Sequence, residues 1–354
     1  MLRVLLALIV LSLGSKAGAE TPESLFQQYA DQNKRMAMGL AWSVDGAAPT
    51  IVVAGPTRPG GPAVGPDARW HIGSITKSFT AALALSMAKD SIVSLDEPLG
   101  SFLPDQPGSD VWHSATLRAV LSHTSGLPVA FDRPVMAGGS TGDDPQDRIN
   151  RLSSMWDADP QGVDDFAYSN VGYVYAGAAL EWADGSRWDV LLQDRILGPA
   201  GITTAGFGAP NGDGDPWGHR RRFGFTTAID PNREDADNPA WLGPAGTLHM
   251  SIGDLHRWAE TLRLACTVGT PAISQESCET MTTPVSKSYG LGLIIQDVDE
   301  ETRFVWHNGS NSQWYAIMGF SPEAGISIAV TLNRNEGALA DQLLREVVGM
   351  LMQD

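Results

Sequence analysis

Gly73-Ser74-Ile75-Thr76-Lys77 opens a stretch, running to Asp90, in which glycine and proline disappear and Phe79, Leu83 and Met87 recur four residues apart. That spacing predicts a helix. Residues three apart on a helix share a face, so Ser74 and Lys77 are expected to touch. A serine at a helix start lies beside free backbone N–H groups and the positive end of the helix dipole. Both favour the negative charge that develops when its hydroxyl attacks a carbonyl. Lys77 on the next turn is expected to be partly buried, and burial lowers an amine's pKa until it can accept or relay the serine proton. Gly73 is expected to leave room for substrate. Taken alone, the same residues also describe a capping serine followed by a solvated lysine, so their meaning depends on partners elsewhere.

Upstream, residues 36–44 and 50–54 read as two short strands joined by the Asp45-Gly46 turn. Downstream, roughly 95 to 240 is rich in Gly, Pro and Asp, with helical patches at 147–155, 172–183 and 188–196. Strand patterns return at 290–297, 303–307, 313–320 and 326–333, before a closing helix over 339–352. A hairpin at the start and a meander at the end most naturally share one sheet. The expected fold is α/β: an antiparallel sheet flanked by helices, built from 20–90 and 240–354, with a mainly helical lobe inserted over 91–239.

Two further stretches carry chemistry. Tyr168-Ser169-Asn170 precedes the patch at Gly172, where a loop can present Tyr and Asn on one side. A phenol beside a lysine ammonium loses its proton more readily, which makes Tyr168 a candidate general base. Asn170 offers a donor and an acceptor, enough to hold the lysine and a substrate amide together. The plainer alternative is a tyrosine packed against Tyr173 or Tyr175. His307-Asn308-Gly309-Ser310 ends a strand of the meander. A small residue there lets an extended substrate lie along the strand, and the following N–H can complete an oxyanion hole. His307 is expected to supply a hydrogen bond or a positive charge for a substrate carboxylate, although a histidine at a strand end is more often structural.

Together with Leu121-Ser122-His123-Thr124-Ser125-Gly126-Leu127-Pro128 between the first two, these stretches resemble the serine beta-lactamase-like family. That family includes class C beta-lactamases, D-alanyl-D-alanine carboxypeptidases, D-aminopeptidases and related esterases. The likeness spans nearly the whole chain after residue 19, since Ile196-Leu197-Gly198-Pro199-Ala200-Gly201-Ile202 and Pro244-Ala245-Gly246-Thr247 also look like its landmarks. The resemblance implies that Ser74 is the nucleophile, Lys77 its partner and Tyr168 the base or leaving-group acid. Asn170, His307, Asn308, Gly309 and Ser310 would bind substrate, with the N–H groups of Ser74 and Ser310 as the oxyanion hole. It implies an acyl-enzyme hydrolase of an amide or ester, such as a D-amino-acid peptide or a beta-lactam, with a carboxylesterase on small acyl esters as the alternative. The dedicated beta-lactamases carry Lys-Thr-Gly where this chain has His307-Asn308-Gly309, a departure that bears on penicillin hydrolysis and not on acylation. A non-turnover penicillin-binding or sensing protein is the alternative outside the enzymes.

The whole chain sets the context. Arg3, the apolar run 4–13 and Ala17-Gly18-Ala19 have the form of a secretory signal peptide cleaved near Ala19, so a periplasmic or secreted protein is expected. No later stretch approaches the roughly 20 apolar residues of a membrane-spanning helix, so no stable membrane insertion is expected. In an oxidising compartment Cys266 and Cys278, the only cysteines, can pair, the alternative being two buried thiols. A net charge of −17 disfavours nucleic acid and anionic lipid as partners and leaves a small-molecule or peptide substrate. Asn211, Asp213 and Asp215 alternate like a calcium loop, but Pro216 stands where glycine is needed and Arg222 where glutamate is. The seven histidines show no metal spacing, so neither metal nor organic cofactor is expected. The run His219-Arg220-Arg221-Arg222 reads as a solvated face, and His71, His123 and His249 as structural. The sequence does not set the oligomeric state; a monomer is the simplest expectation.

Overall fold

In the computed structural model, residues 20–102, 110–137, 145–158 and 165–353 are described, and the leader assigned to 1–19 lies outside them. Thr21 caps the first helix, α1 (Pro22–Gln32): its hydroxyl accepts from the Ser24 N–H while the Ser24 hydroxyl accepts from Thr21 N–H. The hairpin β1 (Met38–Val44) and β2 (Thr50–Ala54) follows, then β3 (Arg69–His71). A 3-10 turn, Gly73–Ile75, leads into α2 (Thr76–Lys89). After several short helices come α3 (Asn170–Asp184), β4 (Gly206–Phe207), the hairpin β5 (His219–Arg222) and β6 (Phe225–Ala228), and β7 (Leu248–Ser251). The chain closes with α4 (Ile252–Val268), the meander β8 (Ile294–Asp297), β9 (Arg303–Ser310), β10 (Tyr315–Ser321) and β11 (Ile326–Leu332), and α5 (Gly337–Leu351).

The N-terminal hairpin and the meander do form one antiparallel sheet, in the order β2-β1-β11-β10-β9-β8. Side chains alternate across it. Met38, Leu40, Ile328 and Val330 face one way and pack with Leu25 and Phe26 of α1 and Leu343 and Val347 of α5. Ala41, Ala329 and Ala316 face the other way, toward the main core. Gly39 on that face is small because α4 lies close: a Cβ there would stand 2.9 Å from the Ile252 side chain. Between sheet and helical lobe runs α2, with Phe79, Leu83 and Met87 fully buried, each burial stabilising by about 1.5–3 kcal/mol. Every residue from Thr76 to Leu85 is buried, so α2 is a core helix and not a striped surface helix.

Among its described residues the 91–239 segment carries, besides its helices, three short strands. Of these, β4 joins β3 and β7 in a second sheet of order β3-β7-β4, while β5 and β6 pair as a separate hairpin. Two- to four-residue strands offer too little alternation to be read from sequence. Within the helical part, Arg148 donates two hydrogen bonds to the buried Glu181 carboxylate, at 2.6 and 2.9 Å, tying the helix Pro145–Ser153 to α3. Cys266, on α4, and Cys278, on the helix Gln275–Thr282, form a disulfide with Cα atoms 5.1 Å apart.

Candidate active site

Ser74 lies in the Gly73–Ile75 turn that starts α2, and Lys77 is one turn on with its side chain buried. The Lys77 Nζ stands 3.2 Å from Ser74 Oγ, 2.8 Å from Asn170 Oδ1 and 2.7 Å from the Ala245 carbonyl oxygen. Burial holds Lys77 well below the usual lysine range. The amine also faces the rings of Tyr168 and Tyr173, at 4.8 and 5.4 Å from their centres. A cation–π contribution of about 0.5–2 kcal/mol is smaller than the several kcal/mol by which full burial disfavours an ammonium. An uncharged amine has two N–H groups and one lone pair. In that form the two carbonyl oxygens would take the donors and the lone pair would face the Ser74 hydroxyl.

Tyr168 and Asn170 reach the site because Ser169 caps α3. Its Oγ accepts from Gly172 N–H at 2.9 Å and donates to the Pro128 carbonyl, while its own N–H donates to His123 Nδ1 at 2.9 Å. The His123 ring lies tilted against Tyr168, with centroids 4.2 Å apart. Tyr168 hydrogen bonds Ser74, but burial raises its phenol above the ordinary tyrosine value. This runs against the expectation of a phenolate stabilised by an ammonium: burial disfavours the charged form of both groups.

The third wall is β9. Because β8 pairs only with Arg303 to Trp306, the half of β9 from His307 to Ser310 extends beyond it. His307 is buried, its Nε2 is 3.0 Å from the Tyr289 hydroxyl and its Nδ1 is 2.6 Å from the Asn308 carbonyl oxygen. Burial and the neighbouring Lys77 lower its pKa to about 3. Of the two roles expected for His307, a hydrogen bond or a positive charge for a substrate carboxylate, the lowered pKa disfavours the positive charge. Asn308 points through the sheet: its amide donates to the Tyr315 hydroxyl at 2.7 Å, which donates to Asp341 of α5 at 2.8 Å. Strand alternation thus removes Asn308 from the site.

Gly309 and Gly73 are small for a reason other than substrate access. A Cβ on Gly309 would strike the Ile72 carbonyl and Ser74 N, and one on Gly73, whose φ is +51°, would strike Ser310 N. Both glycines let the nucleophile turn lie against β9, so the Ser74 and Ser310 amides share one wall. The Ser310 side chain is spent on the Trp314 carbonyl, leaving its backbone as the contribution to the site.

A cavity of about 250 Å3 opens on Ser74, Asn170 and Ser310, with Phe131, Met136 and Leu242 on its apolar side. None of the described residues lining it carries a charge. Ala245, Tyr289, His71 and Asp237 were missed as site residues by sequence reading. Only Ala245 had a signal, the Pro244-Ala245-Gly246-Thr247 landmark.

The Beta-lactamase family model matches residues 23–349. The chain belongs to that family. It is a serine hydrolase. The Penicillin-binding protein 4 of Amycolatopsis lactamdurans is 26% identical over 336 residues, 88% of this chain and 84% of the relative. The chain spans about half the length, 54% and 55%, of two penicillin-binding relatives from Bacillus subtilis. Among solved structures, the octameric penicillin-binding protein homologue from Pyrococcus abyssi aligns with a TM-score of 0.77 at 23% identity, covering 93% of this chain and 77% of that one. The class C beta lactamase from Rhodobacter sphaeroides aligns with a TM-score of 0.75 at 18% identity, covering 94% and 99%. No helix among the described residues of this family member is long and apolar enough to cross a membrane.

Proposed function

We propose that this serine hydrolase forms an acyl-enzyme on Ser74 and cleaves esters or amides with a short apolar acyl group and no carboxylate beside the scissile bond. The observation that carries the reading is the arrangement around Lys77, whose two carbonyl partners leave the amine lone pair to the Ser74 hydroxyl. As Ser74 Oγ attacks, Lys77 takes the serine proton, and the oxyanion is held by the Ser74 and Ser310 N–H groups. Tyr168, a phenol at rest and bonded to Ser74, gives its proton to the leaving group and recovers one from the Lys77 ammonium. Water then repeats the addition on the acyl carbon, losing its proton to the same pair and returning one to Ser74 Oγ. Asn170, its Oδ1 on Lys77, presents its amide N–H groups toward the substrate carbonyl side.

The substrate class rests on charge and size. The uncharged described lining, the neutral His307 and the net charge of −17 all disfavour a carboxylate at the mouth. The apolar side formed by Phe131, Met136 and Leu242 suits a short alkyl or aryl acyl group. We further propose that the enzyme acts outside the cytoplasm, a reading supported by the leader-like residues 3–19; a mature N-terminus at Glu20 on the exported protein is the check.

The deciding experiment is intact-mass spectrometry and product release for the protein and its Ser74→Ala variant, with p-nitrophenyl butyrate, a nitrocefin-type beta-lactam and a D-alanyl-D-alanine peptide. The expected result is fast butyrate release, slow reaction of the two carboxylate-bearing compounds, and no reaction by the variant. A variant as active as the parent overturns the nucleophile, and a faster peptide or lactam overturns the substrate class.

A further inference from the structure

The geometry points to Asp237 as a positioning residue that clamps together the two arms of the oxyanion hole; this rests on the acyl-enzyme reading above. One arm is the turn carrying Ser74. There the Gly73 N–H donates to His71 Nδ1 at 3.1 Å, and His71 Nε2 stands 2.9 Å from the Asp237 carboxylate. The other arm is the end of β9 carrying Ser310. There the next residue, Asn311, donates from Nδ2 to Asp237 Oδ1 at 2.8 Å, while its Oδ1 accepts the Gln313 and Trp314 N–H groups, each at 3.2 Å. The side chains are shielded from solvent: His71 is 0% and the Asp237 side chain 8% exposed, and Asn311 is 9% exposed. Asp237 does not itself line the cavity, although Asn238 beside it and its partner Asn311 do, so it acts through its partners.

Donor and acceptor logic makes the carboxylate indispensable. The Gly73 N–H occupies the lone pair of His71 Nδ1, so the ring proton is on Nε2 and needs an acceptor. Asn311 cannot turn its amide over, because two backbone N–H groups hold its oxygen, so its Nδ2 also needs an acceptor. Asp237 receives two donors, one from each arm, and has none of its own. The turn at Gly73 adopts a left-handed φ of +51° and has Ser310 N packed where a Cβ would be, so the relative placement of the two amides depends on contacts of this kind.

Asp237→Asn keeps the shape and breaks this pattern whichever way its amide turns, since one of its two contacts then becomes donor against donor. With p-nitrophenyl butyrate, kcat is expected to fall by about 10- to 100-fold with KM within about twofold, because the transition-state oxyanion loses a well-placed donor. The double variant Asp237→Asn with Asn311→Asp restores a full match: the new amide at position 237 would accept from His71 and donate to the new carboxylate at position 311, which still accepts both backbone N–H groups. It is expected to recover most of the lost kcat. An unchanged kcat in the single variant, or no recovery in the double, overturns the clamp. Independently of turnover, 15N spectra of histidine-labelled wild-type protein are expected to show His71 protonated at Nε2 and bare at Nδ1. A proton on Nδ1 overturns it as well. Wild-type rates in Ser74→Ala would instead overturn the acyl-enzyme reading and leave the His71 tautomer to decide the clamp.

Discussion

Lys77, on α2, and His307, on β9, are neighbours at the site, both buried and both driven toward the neutral form by that burial, yet they are equipped for different work. Lys77 has two carbonyl acceptors and a lone pair directed at Ser74. His307 has its ring committed to Tyr289 and to the Asn308 carbonyl oxygen, and keeps nothing for a substrate. Burial therefore prepares a base only where the neighbouring acceptors leave a lone pair facing the reacting atom. At the strand it makes a rigid, uncharged wall instead.

The largest expected effect that sharpens this contrast is that of Lys77→Met, which keeps side-chain bulk and removes the amine. It should lower kcat/KM by on the order of 10²–10⁴ with the fold retained by circular dichroism. A loss under tenfold would place the base elsewhere. Tyr168→Phe comes next, at about 10²-fold on kcat, more for a poor amide leaving group than for p-nitrophenolate. Equal losses on both would remove its role as the leaving-group acid.

The pH profile separates the two walls without mutation. Catalysis needs the uncharged Lys77 amine, so activity should hold above a limb lying well below lysine's ordinary 10.5 and fall as pH drops through it. His307, with its pKa lowered to about 3, should add no limb near histidine's ordinary 6.5. A limb there that disappears in His307→Gln would break the comparison. His307→Gln should otherwise lower stability by about 1 kcal/mol through the lost bond to the Tyr289 hydroxyl, read by urea titration, with kcat within about tenfold. The smallest effect is expected from Asn308→Ala, about 1 kcal/mol of stability from the lost bond to Tyr315 and unchanged kinetics.

Much of this was legible along the chain because the signals are local. Ser74 and Lys77 meet through helix geometry alone, Ser169 caps α3 and so presents Tyr168 and Asn170, and the strands of the meander alternate over enough residues to be seen. The sequence alone therefore determined the helix-borne Ser74–Lys77 pair, the sheet built from both ends of the chain, and the family those motifs belong to. Tertiary structure alone decided which way the pKa values move, since the shifts of Lys77, Tyr168 and His307 come from burial by segments far apart in sequence. It also decided that Asn308 points away, that Gly73 and Gly309 are small for each other's sake, and that Asp237 faces both His71 and Asn311. The physical reason is range: periodicity and capping act within a few residues, whereas desolvation and hydrogen-bond complementarity depend on what the folded chain brings alongside.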